Sequence, residues 1–392
     1  MKKIGIIGAG IVGLATAYKL QQKYPHYKII IIEKESDITQ HQTGRNSGVI
    51  HSGIYYTPNS LKANNCRNGY QQLLQFCNDN EVAYDICGKL IVATQSKELP
   101  TLQMLFERGA KNQLENLQWL KTEQIKEIEP HVEGIKGILV PQTGIIDYKV
   151  VAKKMLNLLL TNNAQLFLKE KVVNIKQNNQ VEIITTKQTH LVDLVYNCSG
   201  LYADKLAKKT SKIDYKIIPF RGEYYQLKPE KEFLVNNLIY PVPNPEFPFL
   251  GVHFTRRISG GIEAGPNAVL AFGRESYQKT QINFPELFET LSYPGFLKVA
   301  QKYWRDGAYE MYRSWSKNAF TKALQRLIPE INKEDLIPAN SGIRAQAVNK
   351  KGELIDDFLI LRENNVIHIG NAPSPAATAS LAIADTLVSL LD

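Results

Sequence analysis

No stretch of this chain approaches the ~18 consecutive apolar residues of a membrane-spanning helix, which excludes a helical membrane domain. Cysteine is scarce. Cys66, Cys77, Cys87 and Cys198 have neither the short paired spacing of a zinc site nor that of a redox dithiol, so no metal is expected and reduced thiols in the cytoplasm are the reading. Repeats and low-complexity segments are absent, which excludes solenoids and disordered tails. Acidic residues are outnumbered, 38 against 47 Lys and Arg, for a net charge of +9. No nucleic-acid motif accompanies this basic surplus. That leaves anionic small substrates or an anionic membrane surface as partner, with a merely solvated lysine-rich face as the alternative. Met1-Lys2-Lys3 runs straight into an apolar strand, leaving no room for a signal peptide. The 392 residues, 44% hydrophobic, suffice for about two packed domains.

What is present begins with Gly5-Ile6-Ile7-Gly8-Ala9-Gly10-Ile11-Val12-Gly13-Leu14-Ala15-Thr16-Ala17, followed by Ile29-Ile30-Ile31-Ile32-Glu33. The order is strand, Gly-x-Gly-x-x-Gly turn, small-residue helix, strand, acid. Gly8 serves the backbone angle of the turn, Gly10 admits a pyrophosphate, and Gly13 lets the helix lie close on the strand. The helix N-terminus faces the anion. Glu33, twenty residues after Gly13, stands where a carboxylate accepts ribose hydroxyls. Ile11, Val12 and Lys34 flank these positions and join the dinucleotide-binding set.

Two further segments share the strand-to-helix pattern. Leu191 to Tyr196 leads into Asn197-Cys198-Ser199-Gly200 and a helix-like 201–209. Val366-Ile367-His368-Ile369-Gly370 leads into Asn371-Ala372-Pro373-Ser374-Pro375 and a helix to the C-terminus, for which Ser374 is the expected N-cap and Pro375 the first residue. Between them, strand-like Lys89–Ala93, Tyr224–Leu227 and Val269–Phe272 have another character. The expected fold is α/β (α+β overall). A Rossmann-like βαβ domain that binds a dinucleotide is built from discontinuous segments, 1–85, 141–215 and 335–392. A second, substrate-binding domain on a mostly antiparallel sheet takes 86–140 and 216–334. A nicotinamide enzyme needs one such turn; a C-terminal helix presented by Gly370 to Ala376 can also face a ring that gains negative charge, as reduced flavin does. The alternative is that 366–391 only closes the sheet.

The layout resembles the FAD-dependent D-amino-acid oxidase superfamily. His41-Gln42-Thr43-Gly44-Arg45-Asn46-Ser47-Gly48-Val49-Ile50-His51-Ser52-Gly53-Ile54-Tyr55-Tyr56 more closely resembles the L-2-hydroxyglutarate dehydrogenase/oxidase family. So do Arg221-Gly222-Glu223-Tyr224-Tyr225, Gly251-Val252-His253-Phe254-Thr255, Gly265-Pro266-Asn267, Ser341-Gly342-Ile343-Arg344-Ala345-Gln346 and Ser374-Pro375-Ala376-Ala377-Thr378. Phe249 and Leu250 belong to the same match. Asn59 stands where the family usually has glycine, and Arg45 where histidine is common.

The resemblance implies that Gly8, Gly10, Gly13 and Glu33 hold the adenosine and pyrophosphate of FAD, and that Thr43, Arg45, Asn46 and Ser47 continue along the ribityl chain. It implies a backbone contact from Val173 to adenine, with Ser199 and Gly200 under the phosphates. Gly370, Pro373, Ser374, Ala376, Ala377 and Thr378 would border the flavin. It implies oxidation of a dicarboxylate 2-hydroxy acid, with electrons going to quinone or oxygen. A glycerol 3-phosphate or amino-acid enzyme, or a non-catalytic flavin-binding subunit, remains the alternative. Cysteinyl attachment of flavin from the C-terminal region is excluded, since no cysteine follows Cys198.

Such chemistry needs a base of near-neutral pKa and a seat for each carboxylate. His51, in a Gly-rich run, is the first choice for the base and His253 the rival. Arg344 occupies the Gly-x-Arg place where the superfamily presents an arginine, and its fork matches a carboxylate. Arg256, Arg257 and Arg274 are candidates for the distal carboxylate; Tyr55, Tyr56 and Tyr225 are candidate pocket walls. Finally, 284–329 is helix-like, with Tyr293, Phe296, Tyr303, Trp304, Tyr309, Tyr312, Trp315 and Phe320 interleaved with Lys and Arg. Two readings stay open: a basic helix docked peripherally on the inner face of the cell membrane, or a core-packed pair with a solvated face.

Overall fold

The computed structural model describes residues 1–244 and 251–391. Its first sheet has six strands, in the order Leu359–Glu363, Val366–Asn371, Leu194–Asn197, Lys3–Ile7, Lys28–Ile32 and Gln165–Phe167. All pairs are parallel except the edge strand Leu359–Glu363. Burial on both faces explains why these strands read as unbroken apolar runs rather than as alternation. Helix Ile11–Lys23 covers one face with Leu14, Ala15, Ala17 and Leu20, and it packs against helices Tyr148–Thr161 and Ser380–Ser389.

The second sheet has nine strands and is mostly antiparallel, with one parallel pair between Leu238–Pro241 and Lys89–Ala93. Its spine is Tyr215–Leu227, paired with Leu336–Asn349 from Tyr215↔Asn349 to Leu227↔Leu336. The expected combination of a Rossmann-like sheet and an antiparallel one is therefore present. One expectation is corrected: Leu336–Asn349, assigned from sequence to the nucleotide-binding segments, belongs to the large antiparallel sheet. Its apolar and polar residues alternate irregularly, so period alone did not tell which sheet it would join.

The C-terminal crossing also departs from expectation. Helix Ser380–Ser389 begins after Ala379, so Ser374 is not its N-cap. Prolines 373 and 375 contribute no N–H. The intervening backbone closes instead through turns, Ala376 N–H to the Pro373 carbonyl (2.9 Å) and Ala379 N–H to the Pro375 carbonyl (2.9 Å). Asn59 takes φ 67°, in keeping with a residue that tolerates the left-handed region.

Candidate active site

A cavity of about 710 Å³ runs between the two sheets, within the range of roughly 300–1,000 Å³ typical of small-molecule and cofactor sites. At one end lies the glycine turn. Gly8 has φ +102°, and a Cβ there would meet the Cys198 carbonyl at 2.6 Å. A Cβ on Gly13 would lie 2.1 Å from the Gly8 carbonyl, so glycine at this position is what lets helix and turn touch. Gly13 thus acts behind the cavity rather than on its wall. Gly10 caps helix Ile11–Lys23 with no side chain of its own, and no acidic residue occupies the first turn. The first amides and the positive helix end are therefore open to an anion. Only Ile11 N–H is engaged, donating to Thr43 Oγ1 at 2.9 Å.

Glu33 is buried at the end of its strand; its carboxylate accepts from Ala9 N–H (2.8 Å) and Glu35 N–H (3.0 Å). Those bonds aim it at the cavity. Ile11, Val12, Lys34, Arg45, Ser47, Ser199 and Gly200 also line it. Lys34 holds Glu35, Glu275 and His41 together, its ammonium filling the space between the acids. Arg45 lies over the Tyr277 ring, 4.1 Å from its centroid. Asn46 ties its own loop, donating to Thr43 O (2.7 Å) and accepting from Gly48 N–H (2.8 Å). Val173 sits at a β-bulge, skipped between the pairs Val172↔Thr185 and Asn174↔Ile184, so its backbone groups are left out of the ladder. The residues present fit an elongated dinucleotide, from this edge to the glycine turn and on to the loop at Gly370.

At the far end His51, His253, Arg344, Ser374, Ala376 and Ala377 face the same space. His51 is tethered by Thr378, whose Oγ1 accepts its backbone N–H at 3.1 Å and pairs with the Tyr148 hydroxyl at 2.7 Å. Its Nε2 lies 3.2 Å from Ser374 Oγ. Burial, with the positive charges of Lys89, His253 and Lys62 adding, pushes the His51 pKa down to about 3. His253 is pushed down to about 4, chiefly by burial, against a hydrogen bond to the Gly251 carbonyl that favours its charged form. That bond, at 2.9 Å, fixes the proton of the neutral ring on Nδ1 and leaves Nε2 an acceptor. The His253 ring stacks on Tyr240 at 3.8 Å. Arg344 comes from the Leu336–Asn349 strand opposite Phe220, and burial lowers its pKa.

Several expected residues lie elsewhere. Arg256 is ion-paired with Asp85. Arg257 donates to the Asn46 carbonyl (2.8 Å) and faces Glu263. Arg274 grips both oxygens of buried Asp204 at 2.6 and 2.9 Å. All three guanidiniums are already matched, and none lines the cavity. Tyr225 packs on Phe320 in the core, at 4.8 Å between centroids. Tyr55 and Tyr56 lie behind the wall, facing Lys89 and Lys62. Pro373 and Thr378 also stand back from the surface, supporting the loop rather than lining it.

The tyrosines that do line it, Tyr148, Tyr202, Tyr224 and Tyr240, are not among the candidates the sequence offers. Neighbours on a strand point to opposite faces, so choosing Tyr225 over Tyr224 was a question of register, which the Arg221-Gly222-Glu223 run does not reveal by itself. Lys89 was also overlooked. A lysine at the head of the wholly buried strand Lys89–Ala93 was the available signal.

The profile of the FAD dependent oxidoreductase family matches residues 3–390. An L-2-hydroxyglutarate dehydrogenase of Indibacter alkaliphilus is 53% identical over 97% of this chain and 96% of its own length. Another from Escherichia coli K12 is 43% identical, over 98% and 92%, and the human mitochondrial one 41%, over 97% and 86%. Among solved structures, a dithionite-reduced L-α-glycerophosphate oxidase of Mycoplasma pneumoniae with FAD bound superimposes with a TM-score of 0.81 at 25% identity, covering all of this chain and 95% of that one. A glycine turn at the cavity, a buried carboxylate at the end of the second strand and relatives matched along most of their length converge: the chain belongs to the FAD-dependent oxidoreductase family and, within it, to the L-2-hydroxyglutarate dehydrogenases, as an FAD-dependent enzyme acting on a CH–OH donor.

Proposed function

We propose that this protein oxidises L-2-hydroxyglutarate to 2-oxoglutarate and delivers the electrons to a membrane quinone. The observation that carries the reading is the meeting of two neutral histidines and Arg344 at the end of the cavity opposite the dinucleotide turn. Bound FAD would supply the two-electron acceptor for the hydrogen leaving C2 of the substrate. Gly8, Gly10, Glu33, Thr43, Asn46, Ser47, Val173, Ser199 and Gly200, which line the cavity, would hold that cofactor, and Gly370, Ala376 and Ala377 would border its reacting end. Arg344 binds the carboxylate next to the reacting carbon with its two-pronged fork.

His51 takes the hydroxyl proton. In the empty site its proton affinity is suppressed by burial and by the neighbouring cations. A dianionic substrate offsets those cations, so the imidazole becomes a better base when the correct ligand is bound. A second reading gives this step to His253, and the fixed Nδ1 proton favours it, because Nε2 is then always an acceptor.

The acceptor is inferred from the surface. Helices Phe284–Leu291 and Pro294–Trp315 divide their aromatic residues. Tyr293, Phe296 and Phe320 enter the core, whereas Phe284, Phe288, Trp304, Tyr309, Tyr312 and Trp315 are each more than half exposed. Lys298, Lys302 and Arg305 are exposed beside them. Aromatic anchors with a basic rim match an anionic lipid surface. Among the described residues no helix is long and apolar enough to cross a membrane, so docking is peripheral, on the cytoplasmic face.

The test is product analysis with a quinone analogue. L-2-hydroxyglutarate should give stoichiometric 2-oxoglutarate and reduced quinone, and the D-enantiomer none. Oxidation of both enantiomers, or of neither, rejects the substrate; hydrogen peroxide in place of reduced quinone rejects the acceptor.

A further inference from the structure

Lys89 is 1% exposed, fixed mid-sheet by pairing with Leu238 on one side and Val140 on the other. Its ammonium lies 4.4 Å from the centroid of the Tyr55 ring and 5.0 Å from that of Tyr240, the ring that lines the cavity and stacks on His253. Among the described residues no carboxylate pairs with it. The titratable groups around it are Cys66, His51, His253, Lys62 and the two tyrosines; none is an acid that is ionised at neutral pH. Lys62, the other lysine beside His51 and Cys66, is matched by Asp356. The Tyr55 hydroxyl and Ser52 Oγ are buried without a hydrogen-bond partner. A buried ammonium is costly unless an anion joins it, and burial here pushes its pKa down to about 7. Two aromatic faces soften that penalty without removing it.

We propose that Lys89, set just behind the Tyr240 wall of the cavity, draws the second carboxylate of the diacid to that wall by its charge, and so makes the enzyme select dicarboxylate over monocarboxylate 2-hydroxy acids. This rests on the 2-hydroxy acid reading above and adds a residue to it. Arg344 then meets the carboxylate beside the reacting carbon, and the charge of Lys89 holds the one at the far end of the chain against the Tyr240 wall. The same cation depresses both histidines. Its neutralisation by substrate therefore couples recognition of the far carboxylate to activation of the base.

The experiment compares L-2-hydroxyglutarate with L-2-hydroxyvalerate, which keeps the five-carbon chain and lacks the second carboxylate, in wild-type holoenzyme and in Lys89→Met and Lys89→Arg. The ratio of kcat/KM for diacid over monoacid should fall about 100-fold in Lys89→Met, mainly through KM, and recover in part in Lys89→Arg. The unfolding midpoint of Lys89→Met should equal or exceed the wild type's, because an unneutralised buried charge has been removed. A parallel loss on both acids with a lower midpoint makes Lys89 structural and overturns the proposal, as does an unchanged ratio. Should the wild type oxidise neither acid, the activity reading fails and titration of the oxidised protein with glutarate decides the seat separately. Binding that disappears in Lys89→Met supports it, and equal or absent binding in both proteins overturns it.

Discussion

The roles proposed for His51 and Arg344 depend both on the side chains themselves and on what surrounds them. The imidazole is kept neutral by burial and by cations, and its backbone is pinned to Thr378 on the loop that follows Gly370. His51→Ala should retain FAD, because the dinucleotide turn is untouched, and lose about 10²–10⁴-fold in the rate of anaerobic flavin reduction. Rapid-mixing absorbance at the flavin band measures this; a wild-type rate assigns the proton transfer to His253. Arg344→Lys keeps the charge and loses the fork, so it should raise the Michaelis constant about tenfold or more, a charged hydrogen bond being worth roughly 1.5–3 kcal/mol. An unchanged constant removes Arg344 from substrate binding. At this scale the glycine turn and Glu33 were legible because their roles are local, fixed within one βαβ unit. The destinations of Arg256, Arg257 and Arg274 were not, since an arginine's partner is chosen by tertiary contact. Asp85, Glu263 and Asp204 lie at sequence distances that carry no pattern.

Among the elements, helix Ile11–Lys23 depends on one missing methyl group. Gly13→Ala would place a Cβ 2.1 Å from the Gly8 carbonyl, where backbone cannot yield cheaply. The helix must move off the strand, and the amides proposed to cradle the phosphates move with it. The variant should purify colourless or release FAD on dilution; retention of stoichiometric FAD contradicts this geometry. The aromatic helices carry the matching prediction for the surface. Replacing Trp304 and Trp315 by serine should leave flavin reduction unchanged while reducing co-sedimentation with phosphatidylglycerol vesicles several-fold. Vesicle binding equal to wild type removes these helices from membrane docking. Period and composition announced both helices but not which aromatics turn outward, because apolar rings recur on every face of the sequence pattern. The loop at 371–379 was misread for a related reason: Ser-Pro carries the local signature of a helix start, and the turn bonds of two prolines without N–H groups overrode it.

For the whole molecule, burial of three neutral imidazoles sets the acid limit. His51 is held at about 3, His253 and His368 at about 4, each chiefly by burial. His368 accepts from the Asn197 side chain on Nδ1 (3.0 Å) and contacts Thr210 Oγ1 through Nε2 (2.7 Å), an arrangement for a neutral ring. An unfolded chain protonates these groups below about 6.5. Their folded pKa values are depressed, so the unfolded state binds more protons between about pH 6.5 and 4, and stability falls as pH drops through that window. Three such groups give a slope of up to about 4 kcal/mol per pH unit near pH 5. Urea midpoints measured from pH 7 to 5 should fall steadily; a flat profile contradicts neutral burial. The two-sheet architecture was legible from three strand-to-helix crossings set against the strand-like runs between them. The register that puts Tyr224 rather than Tyr225 into the cavity, and the pairing that carries Arg344 into it on the Leu336–Asn349 strand, exist only in the assembled molecule.

The central claim is that one flavin, held between the two sheets, is reduced by one enantiomer of a five-carbon 2-hydroxy diacid. Anaerobic titration of the purified protein, followed at the visible flavin band, tests it most directly. L-2-hydroxyglutarate should bleach the band with one equivalent per flavin while the D-enantiomer leaves it intact. A band that neither enantiomer bleaches, or that both bleach alike, contradicts the account.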